Sequence, residues 1–390
     1  MRAAVTSFHS QLPVKIAFGD GVIEELPAVF AERGVQRAFL VIEQPVVGND
    51  GVERALADCR AAGVQVEQFV KGPGEPTFVQ ADELANAILA GSFEIVVGIG
   101  GGSALDLAKA ARIGADQGLP IRAYADGKVV EMPRLPLVLC PTTSGTGSEV
   151  SGASVLTDTE RGQKVGFGHP LMRAQHALVD PRLTIGLPPA PTSHSGVDAL
   201  AQAIGACTVN DGSPLSIAFG LEAAYHVGRS LERAVADGSD LDARAQLACA
   251  SLTAGLAMNL SDCAADHALG QALGSLKHLP HGLTVGLVLA ECLDVVRVDC
   301  ADRLERVADA LGEPADGSAD GSRAVRAVRR LLAAISFPTL GDVGVADSDI
   351  AELTELALTE QAFFFTVDCH AWTRDEVAGA YRAALAVTAR

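Results

Sequence analysis

Short apolar runs alternate with amphipathic stretches through the first half of the chain, and this alternation constrains the fold more than any other feature. The apolar runs predict strands at 14–18, 38–42, 64–69, 94–99, 135–140 and 177–179. The stretches between them predict helices at 21–33, 51–62, 77–89 and 104–113, and a hairpin is predicted over 155–169. Strands that alternate with helices pair in parallel, and helices cover both faces of the sheet. We therefore predict an α/β fold for this half.

The pattern changes after Leu187, where two prolines follow. Beyond this point apolar residues recur at spacings of three and four, which is typical of amphipathic helices. These spacings predict helices at 216–236, 242–258, 301–311, 323–335 and 374–388. We therefore expect two domains, an α/β domain over residues 1–187 and an all-helical domain over residues 188–390.

The overall composition excludes several classes of protein. The 390 residues include 48 Asp and Glu but only 30 Lys and Arg. The resulting net charge of −18 argues against nucleic acid as a partner. No apolar run reaches the roughly 18 residues of a membrane span, and residues 1–12 lack the apolar core of a signal peptide. Eight cysteines without a Cys-x-x-Cys pair are typical of reduced thiols. We expect a cytoplasmic protein that binds neither nucleic acid nor membranes.

A glycine-rich turn follows the strand predicted at 94–99. It consists of Gly100, Gly101, Gly102 and Ser103, and Asp106 lies in the first turns of the next helix. Glycines let the backbone come close to a pyrophosphate, and the amides and positive end of the helix stabilise the phosphate charge. The spacing departs from the usual dinucleotide fingerprint, so phosphate binding and a plain tight turn both remain open.

A second polar loop follows the strand predicted at 135–140. It carries five hydroxyl side chains, those of Thr142, Thr143, Ser144, Thr146 and Ser148. Such a loop offers donors to a ribose, a nicotinamide amide or a phosphate, and the alternative is a solvated Ser/Thr loop. We assign the glycine turn, these hydroxyls, Asp106 and Leu187 to cofactor binding.

Glu43 ends the second predicted strand. A carboxylate at this place accepts hydrogen bonds from the two ribose hydroxyls of NAD and repels the 2′-phosphate of NADP. We therefore expect NAD, with NADP as the alternative cofactor. A surface glutamate at a strand end is the other interpretation.

One carboxylate and two imidazoles form the candidate metal site. Asp198 and Gln202 lie four residues apart on one helical face, and His267 and His281 come later in the chain. An Asp with two His is sufficient to hold a divalent metal. Spacing alone does not bring these residues together, and buried structural histidines remain the alternative.

Several ordered motifs together make the chain similar to a known family. They are residues 100–106, residues 141–149, Gly196-Val197-Asp198-Ala199-Leu200, and His267 followed by Pro280-His281-Gly282. With these motifs the chain resembles the iron-containing (group III) alcohol dehydrogenases almost from end to end. The resemblance implies an N-terminal α/β dinucleotide-binding domain and an all-α C-terminal domain that holds the metal and the substrate.

Two positions depart from the family pattern. Asp198, His267 and His281 match three of the four metal ligands, whereas Gln202 stands where the family usually has His. Gln271 stands where a second His is thought to relay protons in the family. Because an amide oxygen binds metal more weakly than imidazole, iron and zinc both remain open. The resemblance also implies Lys164 as a residue near the cofactor, and His278 is a candidate for catalytic proton transfer.

The implied function is the interconversion of a small alcohol with its aldehyde or ketone by hydride transfer with NAD(P). A metal held by Asp198, Gln202, His267 and His281 would act as Lewis acid. One alternative is a metal-independent reductase of an oxo-acid, similar to the maleylacetate reductases, and another is an inactive cofactor-binding protein. The resemblance implies a homo-oligomer, a dimer or larger.

Overall fold

The computed structural model describes residues 11, 12 and 14–387, and these residues form two compact units. The α/β unit comprises Gln11–Thr143 and Gly147–Ile185, and the helical unit comprises Ser144–Thr146 and the chain from Gly186 onward. The predicted end of the last helix at 388 and most of the N-terminal stretch considered for a signal peptide lie outside the described residues. The division into domains at 187/188 stays a prediction.

A six-stranded sheet of parallel strands forms the centre of the α/β unit. Its strands are β1 (Lys15–Phe18), β2 (Arg37–Glu43), β3 (Gln65–Lys71), β4 (Ile95–Gly100), β5 (Leu137–Pro141) and β8 (His176–Val179). Their order across the sheet is β1-β8-β5-β4-β2-β3. The prediction of a parallel sheet is confirmed. The predicted hairpin is also present, as the antiparallel pair β6 (Ala153–Asp158) and β7 (Gln163–Gly168).

Helices cover both faces of this sheet, as the apolar runs of its strands predict. The helices are α1 (Leu26–Arg33), α2 (Asp50–Ala61), α3 (Phe78–Ala90), α4 (Gly102–Gln117) and the short α5 (Arg122–Ala125). In β2, Leu40 and Ile42 pack in one core cluster with α1 and α2, whereas Phe39 and Val41 pack in another with α3 and α4. Successive residues of a strand therefore serve opposite faces of the sheet.

Ten α-helices form the helical unit within the described residues. They are α6 (Pro189–Thr208), α7 (Pro214–Ala236), α8 (Leu241–Met258), α9 (Ala265–Lys277), α10 (His281–Val296), α11 (Ala301–Ala310), α12 (Ser322–Ala334), α13 (Ile350–Glu360), α14 (Ala362–Val367) and α15 (Arg374–Ala386). The sequence pattern did not predict α13 or α14. Among the described helices of the chain, none combines the length and apolar character that a membrane crossing requires.

Glycines allow the central helices of this unit to approach closely. A Cβ atom at Gly286 of α10 would lie 2.7 Å from Cγ1 of Val197 on α6 and against the ring of Phe337. A Cβ atom at Gly270 of α9 would lie 2.8 Å from the Cα atom of Val285 on α10. Real Cβ atoms do not approach other atoms so closely, so the packing of α6, α9 and α10 depends on these glycines.

Replacing Gly286 by Ala is expected to lower the free energy of unfolding of the helical unit by about 1–3 kcal/mol, because the added methyl overpacks the contact between α10 and α6. Gly379 of α15 is a matched control, since nothing lies within 4 Å of a Cβ atom there. Gly379→Ala should leave stability unchanged or raise it by up to about 1 kcal/mol, because Ala favours helix. Urea unfolding followed by circular dichroism measures both changes. Equal stability of the two variants would contradict the packing argument.

Candidate functional site

Three side chains from three helices of the helical unit converge on one point. Asp198 lies in the middle of α6, His267 in the first turn of α9, and His281 is the first residue of α10. Oδ1 of Asp198 is 3.4 Å from Nε2 of His281 and 3.7 Å from Nε2 of His267. One ligand atom of each residue lies within 4.8 Å of the others. For bonds of about 2.1 Å, tetrahedral metal ligands lie about 3.4 Å apart, so this spacing suits a metal.

Three atoms at this point are buried and have no hydrogen-bond partner in the described structure. They are Oδ1 of Asp198, Oε1 of Gln202 and Nε2 of His267. The Gln202 amide donates from Nε2 to Oδ2 of Asp198 at 3.2 Å, which leaves its Oε1 unused. Buried polar atoms without partners are costly and rare, and three neighbouring atoms of this kind, close to the imidazole of His281, fit a divalent cation.

Gly282 permits the approach of His281 to Asp198. A Cβ atom at Gly282 would clash with the carbonyl oxygen of His194 and would lie 3.1 Å from Cβ of Asp198. Only glycine therefore lets the start of α10 lie this close to α6. The Pro-His-Gly motif thus has a geometric reason, since proline ends the preceding segment and glycine lets the histidine reach the carboxylate.

The electrostatic environment keeps Asp198 ionised. Burial raises the pKa of this carboxyl group, but His281, His267 and the amide of Gln202 together hold the pKa below its usual value. The side chain of His281 is 37% exposed, whereas His267 is buried. The site therefore combines a buried charged oxygen with one imidazole that solvent reaches.

Other residues near the cluster have different surroundings. The ring centroids of His267 and His281 are 5.4 Å apart, and that of Phe364 on α14 lies 6.2 Å from the His267 ring. His278 is exposed in the left-handed position that ends α9 and is not one of the three clustered ligands. Gln271, four residues after His267 on α9, is partly exposed. The catalytic role predicted for His278 stays a prediction.

In the α/β unit, the glycine turn joins β4 to α4 at the carboxyl end of the sheet. A Cβ atom at Gly100 would lie 2.7 Å from Cβ of both Ala104 and Glu43, so this position requires glycine. Oε2 of Glu43 accepts the Gly101 amide at 2.8 Å. Among the described residues the amides of Gly102 and Ser103 make no hydrogen bond, because they begin α4. Such a helix start is able to bind an anion.

Asp106 and the buried Lys109 organise the chain that follows the hydroxyl loop. Oδ1 of Asp106 accepts the Ser148 hydroxyl at 2.7 Å and pairs with Nζ of Lys109 at 2.9 Å, and Oδ2 accepts the Val155 amide. Lys109 also donates to the carbonyl of Ser148 at 3.1 Å. Both side chains therefore fix the path of the loop. Burial raises the pKa of the neighbouring Glu149 to about 7.

The hydroxyl loop is buried for the most part. Thr142, Ser144 and Ser148 are buried, whereas Thr143 and Thr146 are partly exposed. Residues Ser144–Thr146 group with the helical unit, where a Cβ atom at Gly145 would lie 2.8 Å from Cβ of Ser195. These hydroxyls therefore do not form the solvated loop that was the alternative interpretation, while their role toward a cofactor stays a prediction.

The two remaining predicted cofactor residues have partners within the protein. Lys164 on β7 pairs with Glu75 at 2.9 Å. The carbonyl of Leu187 accepts Nη2 of Arg244 at 2.9 Å and the Thr192 hydroxyl at 3.2 Å. Neither contact excludes a bound cofactor, and both assignments stay predictions.

The sequence reasoning missed Asp266. Its Oδ1 lies 3.3 Å from Nδ1 of His267, and both side chains are buried. An acidic residue directly before a candidate metal-binding histidine was the available signal. Adjacent residues of a helix generally do not face each other, however, so the contact follows from its place at the start of α9.

This chain is similar to known proteins over most of its length. Long-chain-alcohol dehydrogenase 1 of Geobacillus thermodenitrificans is 34% identical over 351 residues, which are 88% of this chain and 88% of that protein. A solved structure of 1,3-propanediol oxidoreductase superposes with a TM-score of 0.92 at 29% identity and covers 97% of this chain and 100% of its own. The NAD+ complex of sulfoacetaldehyde reductase from Bifidobacterium kashiwanohense superposes with a TM-score of 0.89 at 28% identity, over 98% and 100% of the two chains.

The family models cover both units. The model for iron-containing alcohol dehydrogenase matches residues 13–181, and the model for the C-terminal part of that family matches residues 192–385. The predicted fold class and function are thereby confirmed. The chain belongs to the iron-containing alcohol dehydrogenase family, and it is an NAD(P)-dependent oxidoreductase that interconverts an alcohol with its aldehyde.

Proposed function

We propose that the helical unit binds one divalent cation through Asp198, His267 and His281, with Gln202 as the fourth donor. The single observation that carries this proposal is the group of buried donor atoms without hydrogen-bond partners on Asp198, Gln202 and His267. When bound, the cation supplies Lewis-acid character, which lowers the pKa of an alcohol hydroxyl and polarises a carbonyl group. Two oxygen and two nitrogen donors suit zinc and ferrous iron alike, so the proposal covers both metals.

Each of these residues has a separate task. Asp198 provides the negative charge that holds the cation, and burial of its carboxylate keeps water away from it. Gln202 orients Asp198 through its amide nitrogen while its oxygen remains available. His281, which is the more exposed of the two histidines, marks the side from which solvent and a substrate reach the site.

For the cofactor, we propose NAD bound at the glycine turn. The nicotinamide ring accepts or supplies the hydride. Free amides at Gly102 and Ser103 support phosphate binding at the start of α4, and Glu43, fixed by the Gly101 amide, supports the choice of NAD over NADP. The NAD+ complex of the related sulfoacetaldehyde reductase agrees with this choice.

For the substrate, we propose a small alcohol without a carboxylate group. The charged groups that act most strongly on Asp198 are imidazoles, and those that act most strongly on His267 are the Cys263 thiol and the carboxylates of Asp266 and Asp198, rather than Lys or Arg. The candidate cations for binding an oxo-acid are Arg173, Lys164 and Lys277, and the two lysines form ion pairs with Glu75 and Asp349. These surroundings disfavour the oxo-acid substrate of the metal-independent alternative. A homo-oligomer in the cytoplasm remains part of the proposal, on the strength of the family relationship.

Replacing His267 by Ala is expected to reduce bound metal from about one ion per chain to background and to lower kcat/KM by at least about 100-fold, since Lewis-acid catalysis contributes several kcal/mol. Elemental analysis after chelation and reloading measures the metal, and a panel of small alcohols and aldehydes measures turnover. His278→Ala should bind as much metal as the unchanged protein. A lower turnover of this variant would therefore indicate a role of His278 in proton transfer. Full activity of metal-free enzyme would support the metal-independent reductase instead.

Exchanging Gln202 tests the fourth donor. Gln202→His should tighten zinc binding by about tenfold, or ~1.4 kcal/mol, because imidazole is the stronger ligand, whereas Gln202→Leu should weaken it by a similar factor. Competition with a fluorescent chelator gives both dissociation constants. Identical affinity of the Leu variant and the unchanged protein would show that the amide oxygen does not bind the metal.

Replacing Glu43 by Ser should shift the preference from NAD toward NADP, because the change removes the negative charge that repels a 2′-phosphate. We expect the ratio of kcat/KM for NAD+ to that for NADP+ to fall by about tenfold or more, at ~1.4 kcal/mol per factor of ten. Glu67→Ser on the neighbouring strand β3 is the control, since it removes the same charge from an exposed position. A shift of equal size in the control would attribute the effect to overall charge.

A further inference from the structure

The two ring nitrogens of His267 have different surroundings. Nε2 is buried without a hydrogen-bond partner and faces Oδ1 of Asp198 at 3.7 Å. Nδ1 lies 3.3 Å from Oδ1 of Asp266. A neutral imidazole carries a single proton, either on Nδ1 or on Nε2. The hydrogen bonds of the two ring nitrogens decide which of them is protonated.

Asp266 is held in place by the backbone at the start of α9. The same Oδ1 atom accepts the His267 amide at 2.9 Å, so the carboxylate bridges the backbone and the ring of its neighbour. Directly before it, the Ala265 amide donates to Oδ2 of the buried Asp368 at 2.9 Å. These bonds satisfy two of the amides that a helix start leaves free, and they fix the first turn of α9.

We propose that Asp266 is a positioning residue, which keeps the proton of His267 on Nδ1 so that Nε2 presents its lone pair to the cation. This inference rests on the proposed function of His267. A carboxylate behind a metal-binding imidazole fixes the tautomer and ring orientation and makes the ligand more basic, and loss of such a partner weakens metal binding by about 10–100-fold.

A purely structural role predicts something different. If Asp266 only caps α9, its removal lowers the stability of the metal-free protein and leaves the affinity of the folded protein for metal unchanged. Asp266→Asn separates the two roles, since the amide oxygen still accepts the His267 backbone amide while the negative charge beside Nδ1 is lost.

The experiment measures zinc affinity of the full-length metal-free protein by chelator competition, together with the absorption spectrum after cobalt loading. Asp266→Asn should weaken zinc binding by about 10–100-fold and shift the cobalt bands. Asp375→Asn is the matched control, because Asp375 is an exposed acid in the first turn of α15, and its affinity should stay within about twofold. An Asp266→Asn protein with unchanged affinity and spectrum overturns the inference.

A second measurement needs no variant at the tested position. Nitrogen NMR of the metal-free protein labelled at its nine histidines reports which ring nitrogen of His267 carries the proton, at a pH high enough for the ring to be neutral. The His267 signal is assigned by its loss in His267→Ala. Protonated Nδ1 with bare Nε2 supports the inference, and protonated Nε2 in a neutral ring overturns it. If His267→Ala binds zinc with unchanged affinity, the proposed metal site is wrong. If His267→Ala loses zinc binding while Asp266→Asn binds zinc normally, only the role of Asp266 is wrong.

Discussion

The proposed metal site depends above all on the buried carboxylate of Asp198. Removing a carboxylate from water costs several kcal/mol, and this cost persists unless partners compensate for it. Gln202 satisfies one oxygen, while the other faces two imidazoles beyond ordinary hydrogen-bond geometry. Buried polar atoms left without partners in this way are destabilising. Their presence in the core of α6, α9 and α10 is therefore better explained by a cation that satisfies several donors together.

Close helix packing makes this arrangement available. Gly270, Gly282 and Gly286 allow α10 to approach α6 and α9 at distances that a methyl group would prevent. The same approach excludes water from the Asp198 oxygen and holds the ligands at separations of 3.4 and 3.7 Å. Stability and ligand geometry therefore depend on the same contacts. For this reason we expect a substitution within these helix contacts to alter the ligand geometry as well.

The sequence predicted the parallel sheet because buried strands and amphipathic helices have different periods, and the alternation in the first half is regular. It did not predict α13, although Ile350, Leu353 and Ala357 give this helix a buried apolar face. It did not predict α14 either, because six residues are too few to show a helical period. Asp198, His267 and His281 were chosen by residue type and family motif, whereas their convergence depends on tertiary packing. The contact of Asp266 with His267 was missed because it depends on the geometry of a helix start.

Gln202 and Asp266 have opposite expected effects on metal binding at this site, where Gln202 replaces the histidine that is usual in the family. An amide oxygen is a neutral and weaker donor than an imidazole, so Gln202 lowers the electron density available to a cation. Asp266 acts in the opposite direction, because a carboxylate at Nδ1 makes the Nε2 atom of His267 more basic. The weaker binding by Gln202 is thus offset by Asp266, which does not touch the cation but strengthens the ligand His267. We therefore expect the effects of Gln202 and Asp266 on metal affinity to be non-additive, because both residues would act on the same ion.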